Sequence, residues 1–418
     1  TITQSFSSGS NIFDDSNDDT HRFTGSLDIS GSIGIKSDSR NNLFIGQNAG
    51  TGSGIGQSNT AIGIDALTSP RGAESIVAIG REAGKNITKS AQSGVYSVLI
   101  GNNANYNNTV GSNNIAIGFY AAGHSSNSMT NTLVIGNFAA DAGPGPTNST
   151  VIGIHAFGNV SGNHPQYVTA LGGYALYGSA GTTTGINGAV AIGHKSLYSI
   201  TSAAGSVAIG YEASYNLTSG ANQVSIGYQA GKALTTAANS TFIGYQAGLV
   251  HTGGNNVAIG DRAFYDTDAG SNSLASTKNV AIGNRALAGT FTDAAVVGTV
   301  ALGYYALGNA TMGGIDYNIA IGMESQMANA GGQNVAIGYA TLKVADGGET
   351  GNVAIGTSTM DAVNNDGSDY NVAVGNYSLR GGTGALVRNI AIGHQSMDGT
   401  GAVDGSDNIF MGYQAGSG

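Results

Sequence analysis

Residues of the form Val-Ala-Ile-Gly return along almost the whole chain, and this return restricts the possible folds more than any other feature. Taken at its glycine, the unit falls at 21 positions, from Gly46, Gly63 and Gly80 through Gly227 and Gly244 to Gly393 and Gly412, with a mean period of about 18 residues. A repeat of this length builds a solenoid, because no unit can bury an apolar face alone and stacked neighbours make the core continuous. The expected fold class is all-β: a parallel β-roll or β-solenoid of about 21 coils over residues 41–418. At roughly 4.8 Å per coil, that stack gives a rod on the order of 100 Å.

Composition agrees with a folded, unusual surface. Charged residues make up 10% of the chain and glycine 69 of 418, whereas proline is only 4, which argues against collagen-like or disordered glycine-rich sequence. Net charge is −10, and no Lys/Arg cluster exists to contact phosphates, so nucleic acid is not an expected partner. No run of 18 apolar residues is present, so no membrane insertion is expected either. The absence of cysteine is compatible with an extracellular setting without disulfides and fixes no compartment. The chain opens on Thr1 and shows no signal peptide, and is expected to be processed or to be part of a longer polypeptide.

Within a unit, counted from the glycine as zero, position −1 is Ile in 17 of 21 cases and position −3 is Val, Ile or Leu in 17. Position −2 is Ala in 14. Such β-branched density favours a strand, and alternation puts −3 and −1 on one face with −2 and 0 on the other. The aliphatic row is expected to form buried columns along the stack. Position +3 is Ala in 15 units and otherwise Ser or Thr, as expected where another backbone passes close by. Positions +1 and +2 vary freely and read as solvent-facing. Position −4 is Asn in 11 units, including Asn114, Asn256, Asn334 and Asn389, and marks one corner of the coil through Asn's tolerance of left-handed backbone and bonding to its own main chain. Variable spacing falls between about +5 and −5. The longest insertions, near 84–96, 176–188 and 264–278, are with the Tyr-rich +1 and +2 positions the expected contact features.

Residues 1–40 do not follow the repeat. The acidic stretch Asp14-Asp15-Ser16-Asn17-Asp18-Asp19 is followed by Leu27, Ile29, Ile33 and Ile35 in strand-like alternation, which reads as a cap or neck over the first coil. The last unit, Ile409 to Gly416, is regular, so the stack is expected to continue in a longer polypeptide or to meet another subunit.

The units at 334–340 and 352–358, Asn-Val-Ala-Ile-Gly-x-x-Ala/Ser, resemble the head repeats of trimeric autotransporter adhesins. The Gly-Tyr-Gln-Ala-Gly form at 227–231, 244–248 and 412–416, and the opening Phe23-Thr24-Gly25-Ser26-Leu27-Asp28-Ile29-Ser30-Gly31, are similar to repeats in phage tail fibres. The resemblance covers about residues 23–416 and implies a left-handed parallel β-roll in a homotrimeric fibre. It also implies a self-cleaving chaperone domain following the repeats in the gene. The period here is longer than the roughly 14 residues usual in the adhesin heads. Three chains would meet, on this reading, along the Ala/Gly faces.

No residue set argues for chemistry. The seven histidines (His21, His124, His155, His164, His194, His251, His394) lack metal-ligand spacing. The Asp14–Asp19 segment lacks the ligand order of a calcium loop, and Asp366-Gly367-Ser368-Asp369 and Asp404-Gly405-Ser406-Asp407 read as turns. Gly52-Ser53-Gly54-Ile55-Gly56 imitates a phosphate loop without the helix that would follow it. No catalytic, cofactor-binding or metal residue is therefore expected, and no cofactor. The leading reading is a non-catalytic shaft of a phage tail fibre, presenting or forming a host receptor-binding surface at the virion exterior. Its partners would be two further copies of itself, a cell-surface glycan or protein receptor, and other fibre or baseplate subunits. The alternatives are a bacterial surface adhesin head and a β-solenoid polysaccharide depolymerase, for which Asp261, Asp266 and Asp268 form the densest acidic group of the mid-rod.

Overall fold

A computed structural model of the chain describes residues 39–417, apart from short stretches between coils such as 88–95, 179–184 and 267–274. The expected cap at 1–40 lies almost wholly outside the described residues. Twenty-one short strands, the first Leu43–Ile45 and the last Ile409–Met411, form one parallel sheet in which each pairs with the next coil's strand. Register is strictly in phase, as in Val207↔Val224, Ala208↔Ser225 and Ile209↔Ile226. Among the described residues there is no α-helix. The parallel β-solenoid expected from the period is the observed fold.

The strands are three or four residues long because the backbone turns at both ends. In every coil the landmark glycine and the residues at −5, +2 and +4 have positive φ. Glycine carries the largest departure, for example φ 136° at Gly227 and 134° at Gly244. A second restriction coincides with the first: a Cβ at Gly227 would lie 2.2 Å from the carbonyl oxygen of Gly244 in the next coil. The glycine column therefore has no substitute, whichever of the two effects is considered.

Main-chain bonding between coils continues beyond the strand. The Gly227 N–H donates to Ile209 O at 2.8 Å, Gln229 N–H to Tyr211 O at 2.8 Å, and Gly231 N–H forward to Ala247 O at 2.9 Å. Left-handed +2 and +4 residues thus have their peptide groups paired, which offsets the cost of placing Leu or Tyr at positive φ.

Alternation holds, but the inward face is the opposite of the one expected. Ala61, Ala78, Ala208, Ala258 and Ala354, all at −2, are fully buried, whereas the −3 and −1 aliphatics remain partly exposed along the rod. Ile45, Ile115 and Ile282 reach 43%, 41% and 37% exposure. A thin coil accounts for the inversion: each strand sends only its one −2 side chain inward, most often Ala, with Leu99, Val134, Val151 and Phe242 as larger occupants. The expectation that the small-residue rows meet neighbouring chains is overturned, since they line the coil's own interior.

The interior is completed by +3 and +4. Ala66, Ala83 and Ala213 at +3 are buried, and where Ser or Thr stands there its hydroxyl is bonded, as Ser325 Oγ to Ala336 O (3.0 Å) and Thr341 Oγ1 to Gly356 O (2.8 Å). At +4, Leu67, Phe157, Leu197, Phe264 and Leu307 point into the core although their φ lies near 50°. In several coils size is exchanged between −2 and +4. Ala191 and Ala281 go with Leu197 and Leu287, whereas Phe242 goes with Gly248 and Phe44 with Gly50. A Cβ on Gly248 would lie 2.8 Å from the Phe242 ring, and one on Gly231 would meet the same ring from the preceding coil. The terminal glycine of the Gly-Tyr-Gln-Ala-Gly form is therefore space for a phenylalanine.

The asparagine row stands where the sequence puts it but bonds differently. Asn334, Asn352, Asn371 and Asn389 are buried, and none has a left-handed backbone. Each side-chain oxygen accepts from the main-chain N–H of the next coil (Asn352 N to Asn334 Oδ1, 2.9 Å), and each amide donates to the next coil's carbonyl (Asn334 Nδ2 to Glu349 O, 2.7 Å). It is an inter-coil ladder, and the left-handed residue of that corner is its neighbour at −5, such as Asn255 or Gln333.

Two coils break the apolar interior: at +4 of the first, Asn105 is buried with neither side-chain atom hydrogen-bonded. At the second, buried clusters end at Ala320 and resume at Ala336, and between Leu307 and Leu342 the +4 column holds Gln326, whose buried amide pairs with no protein group. Gln326→Leu should stabilise the rod by about 1–3 kcal/mol, read as a raised denaturation midpoint, because the desolvated amide is removed without loss of a bond. Phe242→Ala alone should cost about 3–5 kcal/mol. Adding Gly248→Leu, which converts the coil to the alanine-in, leucine-in form, should recover at least half of that loss in the same measurement.

Candidate functional surface

With the large aliphatics outside, the coil presents two long surfaces. The first is the strand face itself. Positions −3 and −1 hold only Val, Ile, Leu, Met or Thr in all 21 strands, so a strip free of charge runs the length of the sheet. Two residues span about 7 Å, so the strip measures on the order of 700 Å² over the rod. Contiguous apolar patches on monomeric proteins are usually smaller, about 300–600 Å².

The second surface lies past the glycine, where +1, +2 and +5 carry ladders of rings. Tyr120, Phe138, His155 and Tyr174 stack in successive coils at centroid separations of 5.7, 5.1 and 5.0 Å. Tyr177, Tyr198 and Tyr215 continue at 5.2 and 5.0 Å, and His194, Tyr211, Tyr228 and Tyr245 at 5.6, 5.3 and 5.3 Å. A coil rise near 4.8 Å is close to the separation that offset ring pairs favour, so identical rows align rings without special design. The consequence corrects the expectation for Tyr-rich positions. Faces inside a ladder are covered by neighbours, so a ligand there meets ring edges and hydroxyls. The +2 residues are half-buried, not freely solvated, and only +1 is regularly exposed.

Most described histidines fall into these rows or into the core, while His164 Nδ1 lies 3.3 Å from Gly145 O. His155, His194 and His394 stack on tyrosines, His124 Nδ1 lies 3.0 Å from Asp141, and His251 is buried with its ring 3.7 Å from that of Phe264. His21 and Asp14–Asp19 lie outside the described residues, as do Asp366, Asp404 and Asp268. Among the described residues no three His, Asp or Glu come together as a metal set. Asp261 Oδ2 accepts from Asn284 Nδ2 at 3.0 Å, while Asp266 is buried in a different environment, so the two do not share a groove. Asp369 accepts the Thr350 N–H at 2.7 Å and Asp407 pairs with Arg388 at 2.7 Å, both serving the link from one coil to the next.

Several charges in the +2 and +5 rows meet an opposite charge one coil away. Glu212 meets Lys232 at 2.7 Å, Glu324 meets Lys343 at 2.6 Å, and Arg380 meets Asp398 at 3.2 Å. Burial opposes ionisation of Glu212, but hydrogen bonds from Lys232 and Gln229 outweigh it and hold its carboxyl below the usual value. Asp141 and Asp361 behave in the opposite sense, since burial pushes both carboxyls up despite His124 beside the first and Ser358 and Arg380 beside the second. These electrostatic rows follow from spacing that the sequence displays. Their pairing was missed because it links residues about 18 apart.

No family model matches the chain, and no curated protein sequence matches it.

A pH dependence follows from Asp361. Its raised value means that the fold favours the protonated acid, so its contribution is present at low pH and is lost as pH rises through the folded-state value. Asp361→Asn fixes the uncharged form. The variant should melt higher than the wild type at neutral pH, and the gap should close below the ordinary carboxylate value of 3.8.

Proposed function

We propose that the chain is a shaft segment of a homotrimeric phage tail fibre, exposed on the virion, whose rows of side chains present or form a surface for the host cell. The observation that carries this reading is the uncharged aliphatic strip on the outer face of the sheet. A strip that repeats every coil is best filled by a partner with the same axial repeat, and another copy of the chain has it. At about 25 cal/mol per Å², covering some 700 Å² contributes on the order of 17 kcal/mol per chain before the cost of association. Three copies about one axis let every strip face the other two with no edge left over, and the resemblance to trimeric fibre repeats supports that number. Slender length suits a spacer, and a repeated surface suits many weak contacts with a cell envelope.

Immunogold labelling with antibody against the rod should mark tail fibres on virions that carry the gene. Label on bacterial outer surfaces instead would replace this reading with the adhesin one. Sedimentation equilibrium should give three times the chain mass of 41.6 kDa. Ile209→Lys with Ile226→Lys, two −1 residues in adjacent coils, should lower the mass toward one chain while the β-sheet circular dichroism persists. A monomeric wild type would remove the trimer.

A further inference from the structure

We infer that the coils around Arg262 and Arg285 form a binding site for an acidic sugar unit, one carrying a single carboxylate, in a cell-surface polysaccharide. The inference builds on the proposed attachment role but stands on a separate part of the molecule. A cavity of about 310 Å³ opens on the ring-bearing side past the glycine, in the segments that follow Gly260, Gly283 and Gly303. Arg262, Arg285, Tyr265, Thr290 and Asn309 line it, with the backbone of Gly289 and Gly308 as floor.

Two cations in one row on consecutive coils go against the rest of the rod. Four other cations of these rows meet a carboxylate from their own or a neighbouring coil, Lys85 with Glu82, Lys232 with Glu212, Lys343 with Glu324 and Arg380 with Asp398, while Lys195, with no second cation beside it in its row, lies over the Tyr198 ring. Arg262 and Arg285 are both at +2, stacked one coil apart, and neither has an ion pair among the described residues. Their held positions come from uncharged groups instead. Arg262 donates from Nε to Gln246 Oε1 at 3.4 Å and lies over the rings of Tyr245 and Tyr265 at 5.2 and 6.0 Å. Arg285 donates to the Tyr305 hydroxyl and lies 5.4 Å from that ring's centre. Asp261, next to Arg262 in sequence, is engaged by Asn284, and Asp266 is buried.

Like charges one strand spacing apart repel, so the arrangement costs stability unless an anion joins them. Guanidinium planes fixed on tyrosine faces leave N–H edges free, and that fork matches a carboxylate bidentately. The volume suits one sugar ring, at the lower end of small-molecule pockets. The amide of Asn309 and the phenol of Tyr265 supply the polar partners that ring hydroxyls require. A dense polyanion is disfavoured by the net charge of −10, whereas one anionic group per ring can be held locally.

The test is calorimetric titration of the whole chain with tetragalacturonate, with the uncharged galactose tetrasaccharide, and with inorganic phosphate. Tetragalacturonate should bind at least tenfold more tightly than the neutral sugar. The Arg262→Gln/Arg285→Gln variant should lose at least tenfold in that affinity, and Arg262→Lys/Arg285→Lys should fall between. Asn309→Ala, which leaves the arginines intact, should weaken tetragalacturonate and not phosphate. Equal binding by the glutamine variant, or no binding of tetragalacturonate to the wild type, overturns the site. Phosphate binding as tight as tetragalacturonate overturns the sugar and leaves only an anion. Because the cavity lies within one chain, a monomer in the sedimentation experiment leaves this result readable, and a negative titration leaves the fibre reading standing.

Discussion

Glycine on glycine, repeated through the sheet, is the contact on which the remaining structure depends. It sets the closest approach of successive coils, since the carbonyl of one lies where the preceding coil would place a Cβ. With that approach fixed, strands pair in phase, and every other position must stack on its own kind. Ala rows, Asn rows and ring rows are then consequences of one main-chain constraint. A side chain that does not tolerate a copy of itself about 4.8 Å away is disfavoured almost everywhere along the rod.

A narrow coil also decides where hydrophobic stabilisation is drawn from. Alanine inside contributes little per residue, about 0.8 kcal/mol per buried methyl-sized group, so the interior alone is a weak core for 21 coils. Leu, Phe and Met at +4 add to it from a backbone conformation that opposes them. The larger store of apolar surface, Val at −3 and Ile at −1, is left on the outside. Stabilisation within one chain is therefore shared along the stack, as in other solenoids whose units cannot stand alone.

The period, the strand at −3 to −1, the restricted +3 and the ladder position of Asn were all legible in the chain, because each is a property of one column read down the repeats. Which strand face turns inward was not. Alternation separates Ile209 from Ala208 but is symmetrical as to inside and outside, and the usual rule that the larger apolar residue is buried gives the wrong answer in a coil this thin. The +4 column escaped for a different reason. Leu67, Gly84, Phe157 and Gly248 look unrelated until −2 is read beside them, and nothing local announces that Leu67 has φ 52°. Pairing across coils, including Glu212 with Lys232, was similarly hidden by the uneven interval lengths.

Once stacking is obligatory, departures from it become informative. A row of tyrosines or a Lys paired with Glu satisfies itself, so it gives no reason to expect a ligand. Gln326 and the Arg262–Arg285 pair do not. The first is enclosed by leucines and offers no route to solvent, so it reads as a cost borne by the core. At the second, unneutralised charge of one sign adjoins open volume and polar groups. In a protein whose charges are few, that difference in access separates a packing defect from a place where a ligand is wanted.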